Sequence, residues 1–226
     1  MKRKFALSIF ITLSIFSLKA QNIQQHYDFG SSIYSNELSR RATLTTTLEM
    51  FKPDSWGSTF FFVDMDSHCE GISFTYWELE RELKFWEGPM SIHLEYNGGT
   101  IHYINHAFMG GATYTYNNNE FSNGFSLSAM YVYNYKCENK NNIKISGSWY
   151  INFAKERLTF DGFFDLWNLG SVRFLSEPQF WVNLNKFEGV NNNFNLSLGG
   201  EVEISYNFAI SERFAVIPTL AAKWTF

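Results

Sequence analysis

The amino-acid sequence predicts an all-β fold, a transmembrane antiparallel β-barrel of about twelve strands. Three observations predict it. Apolar and polar residues alternate with period two over much of the chain, and successive strand side chains point to opposite faces. Aromatic residues make up 19% of the chain, a content that barrel walls and interfacial girdles use and ordinary soluble cores rarely need. Beyond the N-terminal leader no apolar run approaches the roughly 20 residues that a helix needs to cross a bilayer. A membrane-spanning form must then be a closed barrel, because lipid cannot satisfy an open backbone edge.

The leader comes first. Lys2, Arg3 and Lys4 precede an apolar run from Phe5 to Leu18, and Ala20 offers a small residue before Gln21. That order is a secretory signal peptide, expected over residues 1–20, with the barrel over 21–226. Its removal takes four bases and no acids, leaving 14 of the 18 bases against all 22 acids, so the formal charge moves from −4 to −8. An acidic chain has no electrostatic footprint for nucleic acid.

Strands are expected to start near residues 25, 41, 57, 70, 90, 105, 122, 141, 156, 171, 192 and 213. Turn-forming clusters separate them at Pro53 to Trp56, Glu87 to Pro89, Asn117 to Asn119, Ala154 to Glu156 and Asn191 to Asn193. The clearest strand sets Phe194, Leu196, Leu198, Val202, Ile204 and Tyr206 against Asn195, Ser197, Glu201, Glu203 and Ser205. Ile143, Ile145, Trp149 and Ile151 oppose Lys144, Ser146, Ser148 and Asn152 in the same way. So do Leu158, Phe160, Phe164 and Leu166 against Thr159, Asp161, Phe163 and Asp165, and Phe125, Leu127, Tyr131 and Tyr133 against Ser126, Ser128 and Asn134. One stretch departs from this: Glu78, Glu80 and Glu82 fall on the parity of Ile72, Phe74 and Tyr76. A bulge near Tyr76–Trp77 and a helix with Tyr76, Leu79, Leu83 and Trp86 on one side both remain open there.

The final segment alternates Val216, Leu220, Ala222, Trp224 and Phe226 with Thr219, Ala221, Lys223 and Thr225. A terminal aromatic after alternating residues resembles the assembly signal of bacterial outer-membrane barrels, which makes the barrel assembly machinery an expected partner through Phe226, with outer-membrane lipid around the wall. Alternation alone does not say which face is inside, since soluble barrels turn apolar residues inward and membrane barrels outward. The leader, the terminal strand and a strand number too large for a small side-chain-filled interior favour the membrane form. Glu95, Lys144, Asp161, Asp165, Arg173, Glu177, Glu201, Glu203 and Lys223 all lie on the non-apolar parity. Basic residues on the lipid face would cost about 2–4 kcal/mol each near mid-bilayer.

A loose internal repeat sets Thr59 to Asp64 beside Thr159 to Asp165, and Ile72-Ser73-Phe74 beside Val172-Arg173-Phe174. The spacing hints at two related six-strand halves, and chance similarity of short aromatic strands accounts for it equally.

Two stretches carry a family pattern. Thr47 to Asp66, with Glu49, the Lys52-Pro53-Asp54-Ser55-Trp56 turn and the aromatic run Phe60-Phe61-Phe62 leading to Asp64, resembles the strand–turn–strand of the Tsx-type nucleoside-specific channels. Phe174 to Lys186, with Glu177-Pro178, looks like the Glu-Pro strand of those channels. The whole chain also resembles a family of small outer-membrane proteins of unassigned function related to them. The resemblance implies a monomeric barrel of about twelve strands whose narrow lumen passes nucleosides. Here the Glu-Pro strand follows the second aromatic-Asp strand rather than the first.

The expected lumen residues are Asp64, Asp66, Asp165, Glu177, Gln179, Trp181 and Asn183. Aromatic faces stack on nucleobases, and carboxylates or amides meet ribose hydroxyls. A bulge beside Glu177, forced by Pro178, would aim that carboxylate inward. The bland alternative is that these residues brace the wall by hydrogen bonds. Asp64, Asp66, His68 and Glu70 could collect a cation, but a solvated acidic turn is the simpler reading, and His102 and His106 are weak ligand candidates. No metal site and no cofactor is expected. Cys69 and Cys137 fall in outward loops, and export leaves a disulfide between them open, provided the loops cross the mouth to meet its short Cα separation. No nucleophile elbow, phosphate loop or zincin motif is present, so the expected role is not enzymatic; a lipid-facing phospholipase without a detectable motif is the enzyme alternative. The leading expectation is a passive channel for nucleosides or similar small polar solutes. The alternative is a non-conducting structural or surface-binding barrel, plugged by Phe61, Phe163 and Trp181.

Overall fold

The computed structural model describes residues 21–100 and 106–226; the expected leader, residues 1–20, and His102 lie outside them. The strands are β1 (Gln21–Asp28), β2 (Leu44–Asp54), β3 (Gly57–His68), β4 (Gly71–Leu83), β5 (Met90–Gly99), β6 (Ala107–Asn117), β7 (Asn123–Asn134), β8 (Asn141–Phe153), β9 (Leu158–Asn168), β10 (Val172–Ser176), β11 (Gln179–Asn183), β12 (Leu196–Tyr206) and β13 (Phe214–Thr225). A one-turn helix, α1 (Gly30–Ile33), follows β1.

Each strand pairs antiparallel with its neighbours, and β1 pairs with β13 from Asn22↔Thr225 to Asp28↔Thr219, so the sheet closes. The amide of Phe226 donates to the carbonyl of Gln21 at 2.9 Å at the seam. β10 and β11 occupy one place in the wall. Both pair with β9 and β12 in an unbroken register, Ser176↔Phe164 continuing as Gln179↔Asp161, and Ser176↔Ile204 as Gln179↔Glu201. The result is a closed twelve-strand antiparallel barrel.

The interruption sits at Glu177-Pro178, where proline has no N–H for the ladder. The register on either side is the same, so the bulge expected beside Glu177 does not form; ordinary alternation aims Glu177 inward. The adjustment is made across the pair instead. Gly162 adopts φ +151°, and a Cβ there would meet the Glu177 carbonyl oxygen at 2.5 Å and Pro178 Cα at 2.8 Å. Only glycine tolerates both conditions.

β4 is one continuous strand, so neither the helix nor the bulge at Tyr76–Trp77 is present. The register slips earlier, at Asp66/Ser67 opposite Ile72–Phe74. Tyr76, Glu78, Glu80 and Glu82 keep one parity and one face. Strand starts match the sequence expectation within three residues, except that β1 begins at Gln21 rather than near 25 and β12 at Leu196 rather than near 192.

Burial settles the inside-out question. Leu220 is 66% exposed and Leu94 46%, whereas His26 and Thr113 are 2% exposed. Leu48, Leu127, Tyr131, Ile145 and Val216 also point outward. An apolar outer face on a closed barrel, with polar groups inside, is the arrangement that lipid requires. The protein is a membrane-spanning β-barrel.

β3 and β9, the carriers of the loose repeat, stand six places apart in the wall. Cys69 lies in the β3–β4 turn and Cys137 in the β7–β8 loop, and both thiols are free. The disulfide left open by the sequence is not formed: four strand spacings, about 19 Å along the wall, separate the two loops, and the turn carrying Cys69 is too short to cross the mouth.

Candidate functional site

Alternation on β3 directs Phe60, Phe62, Asp64 and Asp66 into the lumen. Asp64 pairs across with Thr47, whose hydroxyl donates to it, and Thr45 Oγ1 donates to Asp66 at 2.6 Å. Phe60 and Phe62 rings lie 5.9 Å apart, and Phe62 and Tyr76 5.8 Å, forming an aromatic ladder up this wall. The Tyr76 hydroxyl donates to Glu78. Glu80 stands directly across from Phe60.

β10 and β11 carry Glu177, Gln179, Trp181 and Asn183 inward on another part of the wall. The Gln179 amide donates to Glu201 at 3.1 Å, and its oxygen accepts from Trp181 Nε1 at 3.0 Å. Lys223 Nζ sits 4.0 Å from the Trp181 ring centroid, and His26 meets the ring at 6.1 Å near a right angle. His26 also hydrogen-bonds with Gln24 and Thr219, each at 3.0 Å. Trp181 is thereby 0% exposed. Asn183 donates to Thr159 Oγ1 at 2.9 Å and accepts from Ser197 at 2.7 Å.

A third group fills the lumen beside β5 to β9. Lys144 Nζ lies 3.2 Å from Glu95 and 3.0 Å from Asp165. His93 is held between Glu82 at 2.6 Å and Glu95 at 3.1 Å, and Thr113 also donates to Glu82 at 2.8 Å. Met109, Met130 and Val132 pack beside them. At the mouth opposite Gln21 and Phe226 Arg41 lies 2.9 Å from Asp28 and 2.7 Å from Glu203. Burial works against the Arg41 charge, but the carboxylates of Glu203 and Asp28 outweigh it and raise the guanidinium pKa above its ordinary value.

Of the residues expected from sequence, Asp64, Glu177, Gln179 and Trp181 all face the lumen, with Gln179 bridging Glu201 and Trp181. Asp66 lies within the field of Arg41 and Asp28 nearer the mouth. Asp165 belongs to the Lys144 group, and Asn183 lies toward the end that carries Gln21 and Phe226. Phe61 is not among the plugging residues: it pairs with Met50 and Leu79 on the lipid face, and Phe60 and Phe62 take the inner positions. Trp181, covered by Lys223 and His26, offers no face for stacking; the inward aromatic rings that solvent reaches include Phe60, Phe62, Tyr76 and Phe163. Glu49, Glu80, His26 and His93 were not picked out from sequence. Glu80 carried a signal, its shared parity with Tyr76, which the undecided β4 geometry hid. Asp64 and Asp66 are bonded to threonines and separated from His68 and Glu70, which lie at and beyond the strand end. His106 stacks on Tyr96 at 5.9 Å.

Carboxylates dominate the inner face. Among the described residues Glu49, Asp64, Asp66, Glu78, Glu80, Glu82, Glu95, Asp161, Asp165, Glu177, Glu201 and Glu203 face in, against Lys144, Arg173 and Lys223. The half-exposed members Glu49, Phe60, Phe62, Asp64, Glu80, Glu177, Gln179 and Glu201 leave a path beside β2 to β4 and β10 to β12. The β5 to β8 side is packed shut.

Residues 20–226 match a family described as a domain of unknown function, DUF5020. The chain belongs to the DUF5020 family. No curated protein matches it by sequence. Among solved structures its fold is similar to the NanC porin, with TM-score 0.60 and 8% identity over 92% of this chain and 100% of that one. It is also similar to the KdgM porin, with TM-score 0.55 and 10% identity over 92% and 99%. A KdgM porin in complex with disordered oligogalacturonate gives TM-score 0.54 with the same identity and coverage. At these identities the likeness is one of fold: this DUF5020 member has the barrel of outer-membrane porins.

Proposed function

We propose that this barrel is a narrow, passive, non-enzymatic channel for nucleosides or similar small polar solutes, working as a monomer without a cofactor. The observation that carries the reading is the half-exposed strip of Phe60, Phe62 and Tyr76 beside Asp64 inside a lipid-walled barrel. Such a strip offers a base a face to stack on and a ribose an acceptor. The Tsx-type resemblance of Thr47 to Asp66 falls on this strip, which supports a nucleoside over other polar solutes. Transport of an acidic oligosaccharide like the one named for KdgM is disfavoured here, because the inner carboxylates would repel it.

A specific observation favours a second reading, the non-conducting barrel: Trp181 and Ile217 point inward with no exposure at all. Block of single-channel current by adenosine or thymidine separates the two. The channel reading expects block at micromolar to millimolar nucleoside, weakened roughly tenfold by Phe62→Ala, about the 1–3 kcal/mol of one stacking contact. Openings indifferent to both nucleosides would remove the nucleoside assignment. We further propose that the assembly machinery reads the last strand through Phe226. Deleting Phe226 should lower the heat-modifiable, assembled fraction in membranes, and an unchanged fraction would refute this.

A further inference from the structure

Two inner carboxylates differ from the rest. Nearly every other acid facing the lumen has a donor: Glu49 has Asn22, Glu201 has Gln179, Glu203 has Arg41, and Asp64 and Asp66 have threonines. Glu80 and Glu177 have neither a hydrogen bond nor an ion pair, although they lie deep in the barrel, and both remain reachable from the lumen. Most basic groups that could neutralise them are engaged: Lys144 by Glu95 and Asp165, His93 by Glu82 and Glu95, Arg41 by Asp28 and Glu203, and Lys223 by the Trp181 face and Asp161. Arg173, also on the inner face, has no ion pair among the described residues and stands two inward positions along the wall from Glu177.

Their surroundings are suited to one class of ligand. Glu80 is the cross-strand partner of Phe60 and the diagonal neighbour of Phe62, within reach of long side chains on one sheet face. The negative ring faces attract cations, and ammonium groups over aromatic rings gain most when partly desolvated. Glu177 falls opposite Glu203 and diagonal to Glu201 in the register that β10 and β11 share with β12. Clustered carboxylates of this kind are relieved by a mobile counter-cation. Screening falls off over about 8 Å at physiological ionic strength, so an ion in a narrow lumen stays within the field of the wall.

We propose that the lumen selects small organic cations, with a primary ammonium group held at Glu80 beside Phe60 and Phe62 and again at Glu177 beside Glu201 and Glu203. This rests on the channel reading but not on the nucleoside assignment, for which it would substitute a cationic cargo. Two weak stations in one lumen admit a cation and let it leave, while inorganic anions and acidic solutes are excluded.

The test uses the full barrel, purified from membranes and inserted in planar bilayers under a KCl gradient, with putrescine as the organic probe. The expected result is a reversal potential displaced toward that of K⁺ and concentration-dependent block by putrescine. Glu80→Gln with Glu177→Gln should reduce the K⁺ to Cl⁻ permeability ratio by about twofold or more and weaken the block. Phe62→Leu, which keeps an apolar side chain and removes the ring, should weaken putrescine block with little change in the ratio. A conducting barrel with equal K⁺ and Cl⁻ permeability overturns the proposal and leaves the channel standing, as does a Gln variant with unchanged ratio and block. A folded barrel with no conductance overturns both.

Discussion

Lys144 shows how a charged residue can hold a membrane barrel together from within. Its ammonium is buried with Glu95 and Asp165 at 3.2 and 3.0 Å, and Glu95 in turn accepts from His93. Removing one member of such a group strands the other charges, which typically costs about 3–5 kcal/mol. Lys144→Ala should therefore lower the urea midpoint of unfolding, followed by tryptophan fluorescence in lipid vesicles, and an unchanged midpoint would mean that water already reaches this group. Lys223 has a different role. It lies against the Trp181 face, with Asp161 3.9 Å away, so it covers the ring that sequence reasoning had assigned to cargo. Parity reports only which face a side chain leaves from. It does not report what packs on top.

At the scale of strands, each wall element follows from period-two alternation and the turn chemistry between runs. β7 is representative: Phe125, Leu127, Tyr131 and Tyr133 meet lipid while Ser128, Met130 and Asn134 are buried. Ala129→Arg, on the outer face near the middle of β7, should cost about 2–4 kcal/mol in vesicle-based unfolding, and a cost near zero would contradict the face assignment. The strand positions, their faces and the inward aim of Asp64, Asp165 and Glu177 were all legible in this pattern. Two local features were not. The slip at Asp66/Ser67 depends on which residues pair across strands, which one strand's sequence does not encode. The fit of Pro178 against Gly162 is likewise a property of two strands, and reading Pro178 alone suggested a bulge that the pairing does not need.

At the scale of the whole molecule, the barrel divides into a packed side and a reachable side. The Lys144 group and the Met109, Met130 and Val132 cluster close the lumen beside β5 to β8, while β2 to β4 and β10 to β12 present half-exposed acids and aromatic rings. Twelve strands give an interior between the small side-chain-filled barrels and the wide porins, so the contents of the lumen decide whether a path survives. The composition hinted at the acidity, through the excess of acids over bases. It could not place the acids on the reachable side, because that depends on which of them find partners.

The most direct test is the single-channel conductance of the refolded barrel in a planar bilayer. The account predicts discrete, small openings from protein that migrates as a folded, heat-modifiable band, and larger ones from Trp181→Ala, which removes a ring that fills the lumen. An electrically silent bilayer containing the same folded protein, with Trp181→Ala equally silent, would contradict the channel and leave a structural barrel in its place.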